Sequence, residues 1–286
     1  MSDSRGLRQL AGVILFSFVA GAVAVTPARA AEPLQSENVL LVTLDGLRWQ
    51  ELFGGCDEGL LNKESGGVRD IPALKSRFWR ETAEARREAL MPYFWKTIAA
   101  QGQVFGDATR NSTVRVTNGR NFSYPGYSEI LCGFSDPRID SNDKVNNPNV
   151  TMLEWLHQKP AFTRRVAAFA SWDVFPWIIN AERSGIHVNS GWQPIDPAVE
   201  AARAAVLGDV TGDLPRLWDG VRYDALTYQA TLDYLKDHRP RLLFVSLGET
   251  DDFAHEGRYD LYLDSAFRND RLIERLWNHL QSLPEY

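Results

Sequence analysis

Three stretches of the chain are continuous apolar runs of strand length. They are Asn38 to Thr43 (NVLLVT), Arg165 to Ala170 (RVAAFA) and Arg241 to Leu247 (RLLFVSL). Unbroken β-rich runs, rather than alternating ones, are the signature of strands buried on both faces. Between them the period changes. Arg80 to Gln101 is charged first and then amphipathic, with Leu90, Phe94 and Ile98 at helical spacing, which predicts a helix. Thr151 to Gln158 predicts a short helix, Tyr223 to Lys236 a longer one stopped by Pro240, and Tyr262 to Leu280 a last one. Gln103 to Phe105 predicts a short strand, and Ser135 to Asn149, rich in Asp, Asn, Ser and Pro, a loop. Strands alternating with helices imply an α/β fold in three αβα layers around a mostly parallel sheet.

The N-terminus has a different pattern. Arg5 and Arg8 precede a 16-residue apolar run, Leu10 to Val25, and Ala28-Arg29-Ala30 follows Pro27. A basic start, a short apolar stretch and an A-x-A site describe a secretory signal peptide cleaved after Ala30, with an uncleaved N-terminal anchor as the alternative; the run is short for a spanning helix, which needs about 20 residues. The expectation is a leader over 1–30 and a single domain over 31–286, periplasmic or secreted, with no stable membrane span after cleavage. An oxidising compartment leaves Cys56 and Cys132 open to bridging, with two separate thiols as the alternative.

Composition narrows the function classes. The 286 residues carry 31 Lys+Arg against 37 Asp+Glu, a formal net charge of −6, and 44% are hydrophobic. That balance excludes a disordered chain and argues against nucleic acid as a partner, which would need a basic face. Two cysteines are too few for a disulfide scaffold or a thiolate zinc module.

Candidate chemistry gathers at strand tips, where open α/β sheets bind ligands. Asp45 follows the first strand; Glu249, Asp251 and Asp252 follow RLLFVSL. His255, four residues past Asp251, makes a D-x-x-x-H pair able to present a carboxylate and an imidazole to one cation. Asn121 to Gly133, NFSYPGYSEILCG, predicts a helix with Pro125 in its first turn and Gly133 as its cap. Ser123 at its start is either an N-cap or a nucleophile beside an anion-binding helix end. Asn118 and Asn121 are candidate phosphate donors or turn-formers.

The segments NVLLVTLDG, SYPGYSEILCG and ETDDFAHEG, in that order, resemble the alkaline phosphatase superfamily, in particular its type I phosphodiesterase/nucleotide pyrophosphatase and phosphoglycerate-mutase-like branches. The resemblance spans roughly residues 38 to 280 and is carried by three motifs. It implies an alkaline-phosphatase-like fold and an exported metal-dependent phosphoric ester hydrolase acting on a small-molecule phosphate ester. By position, Asp45 would bind one metal, Ser123 would be the nucleophile touching it and forming a phosphoserine, and Asp251 and His255 would bind the second. Two divalent ions are implied; zinc suits the mixed His and carboxylate set and manganese is compatible. Asp252 is a further ligand or an orienter of His255.

The family pattern adds an Asp-His pair and another His downstream. This sequence reaches Tyr286 with only His279 after His255, inside the predicted last helix, so the expectation is a C-terminally incomplete fold and second metal site. A non-catalytic member binding an anion or a single metal, and a phosphotransferase of the mutase type, are the alternatives. Incompleteness also predicts an unpaired edge or exposed apolar patch near Leu263, Leu272 and Leu276. A sulfatase would need Arg four residues after Ser123, where Tyr127 stands. A metal-free serine hydrolase fits poorly, because Ile130 replaces the second Gly of a G-x-S-x-G elbow around Ser128. Trp49, Phe53 and Tyr124 are candidates to line a substrate cleft or to pack the core.

Overall fold

The computed structural model describes residues 36–194 and 208–286. The leader expected over 1–30 lies outside the described residues. Residues 36–286 form one unit. Among the described residues, no helix is long and apolar enough to cross a membrane.

Four strands make the sheet: β1 (Val39–Leu44), β2 (Val166–Ala170), β3 (His187–Ser190) and β4 (Leu242–Leu247). Their order is β1-β4-β2-β3 and every pairing is parallel. The three apolar runs are therefore β1, β2 and β4. The helices are α1 (Trp49–Gly54), α2 (Ile71–Phe78), α3 (Ala83–Leu90), α4 (Ser123–Cys132), α5 (Met152–His157), α6 (Asp224–Asp237), α7 (Glu249–His255) and α8 (Tyr259–Gln281), besides shorter turns.

Side chains alternate across the pleat, and the two faces bury different helices. Val166, Ala168, Leu242 and Phe244 pack with Tyr124, Tyr127 and Leu131 of α4 and Leu153 of α5. Ala167, Phe169, Leu243 and Val245 pack with Leu235 of α6 and Leu272, Leu276 and Leu280 of α8. That is the αβα layering. The N-terminal part of α8 joins α2 and α3 in a separate core with Leu74, Leu90 and Leu263.

Several expectations are corrected. Residues 80–101 are not one helix. α3 ends at Leu90, Met91 takes φ −130° and ψ 70° ahead of Pro92, and the chain resumes in a π-helical turn over Phe94–Ile98. A proline disfavours the α conformation at the preceding residue, which outweighs the apolar spacing. Gln103 to Phe105 forms no strand, and Phe105 is exposed. Leu263, Leu272 and Leu276 are not exposed; they are buried, because α8 lays that stripe on the sheet and on α2 and α3. Among the described residues β1 pairs only with β4. A cavity of about 540 Å³ lies beside it, walled by Leu40, Val42, Leu44, Phe94, Ile273 and Trp277. The open edge expected near these leucines is therefore that of β1, which faces Ile273 and Trp277 of α8, while the leucines themselves are covered.

Cys56 is buried and Cys132 half-buried, and both are free thiols. His279 is half-buried on α8, and among the described residues its Nε2 has no hydrogen-bond partner.

Candidate functional site

The carboxyl edge of the sheet carries the predicted residues. β1 ends at Leu44, so Asp45 projects from its tip; its amide donates to Leu247 O at 2.9 Å, holding the β1 and β4 tips level. The next residue, Gly46, has φ +69°. A Cβ there would stand 2.5 Å from Asp251 Cα, so the close approach of the β1 tip to α7 requires glycine. Thr250 Oγ1 donates to Asp45 O at 2.5 Å, a second tie between the same two loops.

Ser123 is the first residue of α4, and its N-cap is Phe122, which makes no side-chain cap. Its hydroxyl instead donates to Asp45 Oδ1 at 3.3 Å. The capping role considered for Ser123 is thus not the one the structure shows. The helix start is also less open to an anion than its sequence implies. Tyr124 N donates to Asn142 Oδ1 at 2.9 Å, Pro125 has no N–H, and Gly126 N turns to Phe122 O. α4 does end as predicted, on Gly133 at φ +81°.

Asp251, Asp252 and His255 lie on α7 within one turn of each other. His255 Nε2 is 3.4 Å from Asp251 Oδ2, and the imidazole is largely exposed. Asp45 feels the charge of Asp251, and Asp252 feels those of Asp251 and Asp45. Burial first, and then the Asp251 charge, push the Asp45 carboxyl up to about 6, while the hydrogen bond from Ser123 opposes the shift. Asp252 is pushed up to about 7 by burial and then by Asp251, Asp224 and Asp45. Burial raises Asp251 as well, against the pull of His255. Three acids with raised affinity for protons have a shortage of nearby positive charge.

Beneath Asp45 lies a file of hydroxyls. Thr43 Oγ1 donates to Ser246 Oγ at 3.0 Å, and Ser246 Oγ donates to Tyr127 Oη at 3.2 Å. Tyr127 occupies the position where a sulfatase carries Arg. Burial, and then the Asp45 charge, raise its phenol well above the ordinary range, so it stays neutral.

A buried network fixes the β2 and β4 tips. Asp224 Oδ1 accepts from Ser171 Oγ at 2.5 Å and from Gly248 N at 2.7 Å; its Oδ2 accepts from Glu249 N at 3.2 Å. Glu249 in turn accepts from Asp224 N, Ser265 Oγ and Arg268 Nη2. α7 grows from this knot: Asp251 N donates to Gly248 O at 3.0 Å. Glu249 was visible in sequence as one of the acids after β4. Asp224 was not, because nothing around Tyr223 and Asp224 marks a carboxylate that reaches two strand tips.

Other candidates have structural duties or lie elsewhere. Asn118 donates through Nδ2 to Glu129 at 2.8 Å and accepts from Arg120 N, so it shapes the loop before α4. Asn121 is exposed. Ser128 is 2% exposed and bound by Asn147 Nδ2 at 3.2 Å on the buried side of α4, which is no nucleophile elbow. Trp49 and Phe53 do border a cavity of about 530 Å³ with Phe105 and Val114. Tyr124 does not; it is buried, with its hydroxyl on Val145 O at 2.7 Å.

The donors Asp45, Ser123, Asp251, Asp252 and His255 are hard oxygens and one imidazole, a chemistry that fits zinc or manganese. A divalent cation there would offset the burial and repulsion that raise these carboxyls. Among the described residues, no three acidic, His or Cys side chains converge as a ready metal cage. No family model, no curated protein and no solved structure matches the chain.

Proposed function

We propose that this chain is an exported, metal-dependent phosphoric ester hydrolase of the alkaline-phosphatase type, with Ser123 as nucleophile. The observation that carries the reading is the contact of Ser123 Oγ with Asp45 Oδ1, a helix-start hydroxyl aimed at a strand-tip carboxylate rather than at its own backbone. The all-parallel sheet, the order of the three motifs and the acids on α7 support it. So does the leader pattern at the N-terminus, for export.

In this reading Asp45, Ser123, Asp251 and His255 hold two divalent ions, with Asp252 as a further ligand or the orienter of His255. Bound there, zinc or manganese supplies the positive charge that lowers the pKa of a coordinated hydroxyl and balances charge on phosphoryl oxygens. Asp45 orients Ser123 Oγ through their hydrogen bond. Ser123 Oγ attacks phosphorus as its proton passes to solvent, the bond from phosphorus to the leaving oxygen breaks, and the alcohol departs after taking up a proton from water. Water then attacks phosphorus on the opposite side, breaks the Ser123 ester and frees phosphate or its monoester. An acceptor hydroxyl in place of that water would make the same site a phosphotransferase.

The test is turnover of aryl phosphate mono- and diesters by the full chain with zinc or manganese present. Ser123→Ala should lower turnover by about 10³-fold or more, and a chelator should abolish it. Turnover that survives Ser123→Ala overturns the assignment.

A further inference from the structure

At the far end of the same sheet edge sits a buried cation that, among the described residues, has no paired carboxylate. Arg222 is 2% exposed. Its backbone amide donates to Ser171 O at 2.9 Å, just past the bridge between Trp172 and Val221, which fixes it beyond the tips of β2 and β3. Its Nε donates to Thr227 Oγ1 at 2.9 Å, Nη1 to Asn189 Oδ1 at 2.7 Å and Nη2 to Asn189 O at 3.2 Å. All of these acceptors are neutral. A guanidinium has five N–H groups, so three bonds leave two of them over.

The neighbouring acid does not neutralise it. Asp224 raises the Arg222 pKa, yet its oxygens already accept from Ser171, Gly248 and Glu249. Burial prevails and holds the guanidinium down at about 9, still charged at neutral pH. An unpaired charge in a protein interior is costly, and a native fold keeps one where something compensates it.

Arg222 lines a cavity of about 220 Å³ together with Trp192, Gln193, Thr211, Arg216 and Leu226. Among the described residues that line the cavity, none is acidic. Arg216 is exposed, with its guanidinium carbon 5.0 Å from the Trp192 ring centroid, where stacking restrains it. One buried and one stacked arginine, a glutamine and a threonine around so small a volume suit a compact oxyanion, which planar guanidinium groups bind bidentately.

We propose that this cavity binds the carboxylate or phosphate group of a small molecule, with Arg222 as the buried anchor and Arg216 at the mouth. It is distinct from the acid cluster. β3 and β1 are opposite ends of the sheet, and at about 4.8 Å per strand the two sites lie roughly 10–15 Å apart along the edge. The inference stands without the phosphoesterase reading, since it uses none of Asp45, Ser123, Asp251 or His255.

The experiment is isothermal titration of the metal-stripped full chain with inorganic phosphate and, separately, with malonate. Stripping leaves the acid cluster negative, so an anion that binds does so elsewhere. At least one of the two anions should bind. Phosphate alone assigns a phosphate-bearing ligand, malonate alone a carboxylate-bearing one, and both together a site for either. Arg216→Ala should weaken binding about tenfold, and Arg222→Gln should remove it in protein whose circular dichroism matches the parent. Should Arg222→Gln not fold, Leu226→Trp, which fills the cavity from α6, should remove binding in its place. Asp45→Asn should leave binding unchanged. Binding of neither anion, binding unaltered by Arg216→Ala and Leu226→Trp, or binding lost in Asp45→Asn would each overturn the proposal.

Discussion

The Ser123 hydroxyl and the Asp45 carboxylate, 78 residues apart in the chain, meet at 3.3 Å above the carboxyl edge of a parallel sheet. The contact depends on how β1 and β4 end. Gly46 lets the β1 tip pass against Asp251, and Thr250 ties the α7 loop to the Asp45 carbonyl. α4 then brings Ser123 in from one face of the sheet.

Gly46→Ala should therefore destabilise the fold by about 2–3 kcal/mol, combining a strained positive φ with a clash against the Asp251 backbone. Urea unfolding of the variant measures it. A loss well under 1 kcal/mol would show that the two tips are not in tight contact.

The acids set a pH dependence. Asp45 and Asp252 have folded pKa values of about 6 and about 7, above their ordinary 3.8. The folded state thus binds these protons more tightly than the unfolded one. The resulting stabilisation is complete below pH 3.8 and is lost as pH rises through 6 to 7. From these groups, the metal-free protein should lose stability between about pH 4 and about pH 7, by up to about 3 kcal/mol from Asp45 and by less than its shift implies from Asp252, whose charge solvent partly screens. Asp252→Asn should raise Tm at pH 8 and flatten that slope, and zinc or manganese should do the same to the parent. Thermal melts across the range check both.

Asp224→Ala should cost about 3 kcal/mol, because it strands the Gly248 and Glu249 amides in the interior and leaves the Ser171 hydroxyl only its bond to Thr227 Oγ1. It should also loosen α7, which hydrogen exchange at Asp251 and Asp252 would register as faster amide exchange. Unchanged protection there would separate the network from the site.

Cys56 should resist thiol reagents in the native protein. It is 1% exposed, and burial pushes its thiol up to about 12. Reaction should begin only with unfolding, and a titration of thiols against denaturant follows it.

The strands that bury both faces were legible as unbroken apolar runs. β3 was not. His187, Val188, Asn189 and Ser190 contain one aliphatic residue, and the strand exists because its backbone pairs with β2 while Asn189 meets Arg222. The break at Met91 was legible in Pro92 but was outweighed by the spacing of Leu90, Phe94 and Ile98. Asp45 and Ser123 stood out because strand tips and helix starts are local features. The role of Asp224 is tertiary: it joins Ser171 to Gly248 across two strands that are 77 residues apart in sequence at their tips, and no local pattern encodes that.

The central claim is that Ser123 carries the phosphoryl group. The most direct measurement is rapid acid quench of the full chain turning over an aryl phosphate with zinc or manganese, followed by peptide mass spectrometry. The account predicts a phosphate adduct on Ser123, present only with substrate and absent from Ser123→Ala. Turnover with no adduct on Ser123, or with the adduct on another residue, would contradict it.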